Sequence, residues 1–390
     1  IPQPQVPLPG RIIPKYVDPL PIPARIDATG GGLYAITMSE FQQQVLPAIM
    51  YPPAYAAGTY VWGYGLGGPA YPGPTIVAQR GVPLDIRWVN NLANSVILQP
   101  LLKVDQTLHW ADPKPPMNMP HYCMMSIVPG QPPTSPCDLA YAGPVPTVVH
   151  VHGAEVESAS DGHPEAWFTP GFGIKGPAWV HETYHYANGQ EGTTLWYHDH
   201  TLGVTRLNVY SGLAGFYLLR DPAIERPDLP GGPPDDPKYE VEIVIQDRMF
   251  DTNGQWFFPS IGINPEHPFW IPEFLGDAIV VNGKTWPYLN VDPRRYRFRF
   301  LNGSNARFYS MRLMDPVSGL PGPPIWQIGT DGGLLNAPAQ IAFPKELLLG
   351  PGERADVIID FTAITPGTEF ILYNSARAPY PKGAPVDPNT

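Results

Sequence analysis

The chain has 390 residues, and its 24 Lys and Arg against 35 Asp and Glu give a formal net charge of −11, no electrostatic footprint for nucleic acid or an anionic membrane surface. With 53 Pro, 39 Gly and only 15% charged residues, the composition argues against helical bundles and for many short strands joined by Pro-rich loops, in two or three domains at roughly 150 residues each.

Residues 1–30 are Pro-rich, without clear periodicity, and read as an extended arm lying over the first domain or its neighbour. The chain starts at Ile1, which fits a removed export signal and an extracellular or periplasmic location. No run reaches the roughly 18 apolar residues of a membrane helix. Over 31–222, β-branched and aromatic runs predict strands at Leu33–Met38, Thr75–Gln79, Leu84–Val89, Thr147–His152, Thr194–His198 and Leu213–Leu218. Cys123 and Cys137 flank a Pro- and Gly-rich loop whose closure by a disulfide would stabilise by about 3 kcal/mol; two free thiols are the alternative. A Pro- and Gly-rich linker spans 223–238. A second set of strands follows over 239–377, at Glu240–Ile245, Ala278–Val281, Tyr296–Phe300, Phe308–Leu313, Ala355–Asp360 and Glu369–Tyr373. Residues 378–390 are again Pro-rich. The expected fold is all-β, two tandem β-sandwich domains.

Four of the ten histidines form two H-x-H pairs, His150-Val-His152 and His198-Asp-His200. On a strand, side chains alternate with a period of two, so each pair points both imidazoles to one side of its sheet. Two facing pairs would surround one small space with imidazoles, which suit copper, zinc, nickel or iron. His109, His121, His163, His181, His185 and His267 lack ligand spacing and read as structural or solvated. The second domain, with one histidine and no cysteine, reads as a spacer. The G-x-G-x-x-G match at Gly63–Gly68 is followed by Pro69, Pro72 and Pro74, so no helix N-terminus follows to hold a pyrophosphate.

These motifs, with Lys15–Pro23, Trp62–Tyr64, Pro72–Ile76, Ser160–Trp167, Thr205–Tyr210, Val281–Tyr288, Tyr296–Arg299 and Gly329–Leu335, resemble the multicopper oxidases, specifically the bacterial spore-coat laccase and bilirubin oxidase branch. The resemblance runs in order over nearly the whole chain. It implies cupredoxin-like Greek-key domains, with His150 as a type-2 copper ligand and His152, His198 and His200 as type-3 ligands. Asp161 matches an acid that helps supply protons for oxygen reduction, and Arg206–Asn208 matches a segment near the ligands. The family's H-P-x-H-x-H and H-C-H segments, which belong to a third cupredoxin domain, are not among these residues, and neither cysteine has flanking histidines.

The resemblance therefore implies a laccase-like oxidase that takes single electrons from phenolic or similar small donors and reduces O2 to water. This chain would supply half of a trinuclear copper site, and a third domain on a separate or cleaved chain would supply the type-1 copper. The alternative is a truncated, inactive scaffold or copper-binding module. Because ligand histidines must be neutral, copper loss is expected below roughly pH 5 to 6 from an ordinary imidazole pKa near 6.5.

Overall fold

The computed structural model describes residues 5–93, 95, 101–113, 141, 143–232, 234–259, 266–267 and 269–386. The expected Cys123–Cys137 disulfide and His121 lie outside the described residues. Strands dominate as the composition predicts. The N-terminal part contains β1 (Pro7–Leu8), β2 (Arg25–Asp27), β3 (Gly32–Gln43), β4 (Thr59–Gly65), β5 (Gly73–Gln79) and β6 (Leu84–Asn90). It continues with β7 (Val149–His152), β8 (Thr183–Tyr186), β9 (Thr193–Asp199), the short helix α1 (Thr205–Ser211) and β10 (Ala214–Arg220).

These form a sandwich of a five-stranded sheet, ordered β2-β5-β10-β9-β7, on a four-stranded sheet, ordered β4-β3-β6-β8. The G-x-G-x-x-G run begins in β4 and opens no helix.

The C-terminal part contains β11 (Glu240–Arg248), β12 (Phe250–Asp251), β13 (Ala278–Val281), β14 (Lys284–Thr285), β15 (Arg295–Asn302) and β16 (Tyr309–Met314), of which all but β12 build the second sandwich. It is completed by β17 (Ile325–Thr330), β18 (Gly333–Ile341), β19 (Leu347–Leu349), β20 (Arg354–Asp360) and β21 (Ile371–Asn374). Seven strands, β14-β13-β11-β15-β20-β17-β18, face the three-stranded sheet β19-β16-β21. The fold is thus all-β, two tandem cupredoxin-like sandwiches. The N-terminal arm begins with β1, which pairs with β12 in a separate two-stranded sheet whose Leu8 and Phe250 join the first sandwich's core; further on Tyr16 and Leu20 donate backbone hydrogen bonds to Trp286 and Tyr288. Among the described residues no helix is long and apolar enough to cross a membrane.

Strand β9 shows why simple alternation is hidden where the two sandwiches meet: all seven of its residues, Thr-Thr-Leu-Trp-Tyr-His-Asp, are buried. Leu195 and Tyr197 face the N-terminal core, whereas Trp196 packs with Ala214, Phe216, Val244 and Leu301 between the sandwiches. A strand covered on both faces reads as a continuous apolar run. The same contact zone holds Arg220, Arg297 and Arg299 against Glu225, Glu240 and Asp356, with Arg297 Nη2 2.6 Å from an Asp356 carboxylate oxygen. Buried charges persist only when paired, and here each guanidinium meets a carboxylate.

Candidate metal centre

β7 is the edge strand of the five-stranded sheet and pairs antiparallel with β9, in a register that sets His150 opposite His198 and His152 opposite Trp196. Val149 and Val151 fill the N-terminal core, so the period of two turns His150 and His152 to the other face. Trp196 and His198 point the same way, and His200 follows the end of β9, its backbone N–H donating to Val148. The structure thus brings all four histidines of the two H-x-H pairs together. Ring centroids are 4.6 Å apart for His150 and His200, 5.5 Å for His152 and His198, and 5.7 Å for His150 and His198.

Three of the rings have their orientation fixed by backbone carbonyls. Nδ1 of His150 donates to the Asp161 carbonyl at 2.6 Å, Nδ1 of His200 to the Gly162 carbonyl at 2.8 Å, and Nδ1 of His198 to the Asp199 carbonyl at 2.7 Å. A carbonyl only accepts, so each of these nitrogens carries the proton and each Nε2 keeps its lone pair. His152 differs: its Nδ1 lies 3.2 Å from Nε2 of His198, and its ring stacks on Trp196 at 5.2 Å. Two imidazole nitrogens held at ~2.0 Å by one tetrahedral ion would stand about 3.3 Å apart, so this pair already has the spacing of shared ligation. Among the described residues no three His, Cys, Asp or Glu side chains are placed to hold a single ion.

Desolvation dominates the electrostatics. Burial, with Arg354 and the neighbouring imidazoles adding to it, pushes His152 down to about 4. Burial also holds His198 well below, and His200 below, the ordinary imidazole value. The expected copper loss below pH 5 to 6 assumed ordinary imidazoles; burial moves the protonation of these three rings to lower pH.

Asp199, between the two histidines of its pair, points into the core, where burial raises its carboxyl to about 7 against the opposing hydrogen bonds of Thr201, Asn208 and the Val148 N–H. The sequence reading passed over Asp199; the signal was an acid at a core-facing position of a strand, where a charge is costly. Asp161 lies at the rim: its side chain is 44% exposed and one carboxylate oxygen is 3.3 Å from His150 Nδ1. Of the Arg206–Asn208 segment, Asn208 reaches the site through Asp199 and also donates to the Pro146 carbonyl. Three other histidines are engaged elsewhere: His185 pairs with Asp85 at 2.8 Å, His181 meets Ser160, and His267 meets Thr107.

The shifts oppose one another in sign. A histidine with a lowered folded-state pKa takes up protons on unfolding, so its contribution is complete above about pH 6.5 and is lost on acidification, for His152 down to about pH 4. Asp199 behaves oppositely, its contribution being lost as pH rises from about 4 to about 7. Three rings act against one carboxyl, so the metal-free chain is expected to lose stability on acidification from about pH 6.5 to about 4.5. Thermal unfolding across that range checks this; a Tm that rises on acidification contradicts it.

The multicopper oxidase family profile matches residues 142–224, the stretch that carries both H-x-H pairs. Over 386 residues the chain is 39% identical to a laccase of Bacillus subtilis, covering 96% of this chain and 64% of that one. It is 38% identical to a laccase of Bacillus stratosphericus with the same coverage. The chain is similar to multicopper oxidases of the laccase-like branch. The McoA multicopper oxidase of Aquifex aeolicus superposes with a TM-score of 0.61 at 25% identity, over 92% of this chain and 60% of that chain. The chain spans just under two thirds of the length of these relatives. Copper is that family's cofactor, and the donor set fits it: imidazoles, three with Nδ1 donating to a carbonyl and one pair at ligand spacing.

Proposed function

We propose that this chain contributes half of a trinuclear copper site to a laccase-like oxidase that couples one-electron oxidation of phenolic or similar small donors to reduction of O2 to water. His150 serves as a type-2 ligand and His152, His198 and His200 as type-3 ligands. A third cupredoxin domain supplies the remaining ligands and the type-1 copper. The observation that carries this reading is the β7–β9 register, which brings the two H-x-H motifs together on one sheet face. Bound copper supplies the redox chemistry.

The chain's own residues do the rest. The carbonyls of Asp161, Gly162 and Asp199 orient three rings and keep each Nε2 free. Burial keeps His152, His198 and His200 neutral and therefore able to ligate. The half-exposed Asp161 carboxylate beside His150 supports a role in carrying protons from solvent to the site. An exported location goes with this reading.

The reading is tested by loading the 390-residue chain with Cu2+ and recording its visible spectrum. The expected product binds copper without intense blue colour, because a blue site needs a His2Cys set and neither Cys123 nor Cys137 lies in an H-C-H segment. An intensely blue chain would overturn the division of ligands proposed here.

A further inference from the structure

Three of the four rings are anchored by carbonyls; His152 is not, and what surrounds it comes partly from the C-terminal sandwich. Arg354 opens β20, its side chain 2% exposed. Its Nε donates to the Thr194 carbonyl on β9 at 2.9 Å, and its Nη1 to the Gly352 carbonyl at 2.9 Å. Asp331 holds it from the other side, accepting the Arg354 backbone N–H at 2.7 Å and standing 3.4 Å from Nη1.

Gly352 and Gly153 show how close this assembly comes to His152. Both have positive φ, 81° and 88°. A Cβ on Gly352 would lie 3.5 Å from Cε1 and 3.8 Å from Nε2 of His152, so the Gly352 backbone is a wall of the ring. A Cβ on Gly153, the residue directly after His152, would lie 2.7 Å from Arg354 Nη2. One guanidinium thus joins the strand carrying His198, the turn that walls His152, and the backbone leaving His152.

We propose that Arg354 is a positioning residue for His152: it locks the Gly352 turn and Gly153 against β9 so that the His152 ring, stacked on Trp196, is held with Nδ1 towards Nε2 of His198. The C-terminal sandwich, which has no metal-ligand motif, is then part of the copper site's support and not a spacer. This inference rests on the reading of the four histidines as copper ligands.

The test uses the 390-residue chain and three variants, Arg354→Met, Asp331→Asn as a milder second probe, and Arg87→Met as a control that removes an exposed cation outside this assembly. Cu2+ affinity is measured by competition titration, and ring-nitrogen NMR shifts of the four histidines are recorded without metal. Expected for Arg354→Met is a loss of Cu2+ affinity of about tenfold, the scale of an outer-shell ligand support. His152 nitrogens should shift while those of His150 and His200 stay in place. Asp331→Asn should move the same signals less, and Arg87→Met should leave them unchanged. Unaltered His152 nitrogens in both Arg354→Met and Asp331→Asn, or equal changes in all four rings or in the Arg87→Met control, would overturn the proposal. If Arg354→Met does not fold, Asp331→Asn decides by the same His152 signals. If the unaltered chain binds no Cu2+, the ligand reading fails, while the metal-free His152 signals still decide the positioning role.

Discussion

Replacing His198 with alanine should lower Cu2+ affinity at least ~100-fold, measured by competition titration on the metal-free chain. Loss of an outer-shell support costs 10–100-fold, and a direct ligand sits at or beyond the upper end of that range. His198 is the most constrained ring of the set. It is 5% exposed, its Nδ1 is committed to the Asp199 carbonyl, and its Nε2 faces both the space between the two H-x-H pairs and Nδ1 of His152. His185→Ala, on an exposed ring paired with Asp85 outside the cluster, should leave the affinity unchanged. Equal losses in both variants would mean that copper is held by scattered surface histidines.

The second large effect concerns stability. Glu240 opens β11 with a fully buried side chain, and its carboxylate meets Arg220 at 2.8 Å and Arg299 at 2.8 Å, with Arg297 at 3.5 Å and Arg25 at 3.6 Å. Burial alone would raise its carboxyl, but the Arg299 and Arg220 guanidiniums more than offset this and hold it well below the usual carboxylate range. Glu240→Gln removes the negative charge without opening a cavity and leaves those cations facing one another. Removing one partner of a buried ion pair costs about 3–5 kcal/mol, a large share of a domain's stability, so Tm should fall by roughly 10 °C. A shift near that of an exposed pair, such as loss of Glu182 beside Arg87, would show that water reaches the network.

The fold class was legible because period-two runs and Pro and Gly punctuation survive wherever one face of a strand is wet or packs a single core. Both H-x-H pairs could be placed on one sheet face from that same rule, since Val149 and Val151 claim the core and leave the other face to His150 and His152. The rule gives no register, so the alignment of His150 with His198 emerged only from the β7–β9 ladder. Helix α1 was missed because seven residues carry under two turns of periodicity, too few to separate from the strands around them.

The imidazole pKa values were misjudged because burial between two sandwiches is not a property of the local sequence. Arg354 was invisible for a related reason. Its partners on β9 and beside Gly352 and Gly153 meet only when the second sandwich closes on the first. The Asp161–Gly162 turn was singled out for its carboxylate, yet its two carbonyls fix the tautomers of His150 and His200.

The central claim, that this chain holds half of an oxidase copper site, is tested most directly by dioxygen uptake with a phenolic donor. The Cu2+-loaded chain is assayed alone and again with a separately produced cupredoxin domain carrying the H-P-x-H-x-H and H-C-H segments. The account predicts no uptake above free Cu2+ for the chain alone and sustained uptake once the two are combined, abolished by His198→Ala. Sustained uptake by the chain alone, insensitive to His198→Ala, would contradict it.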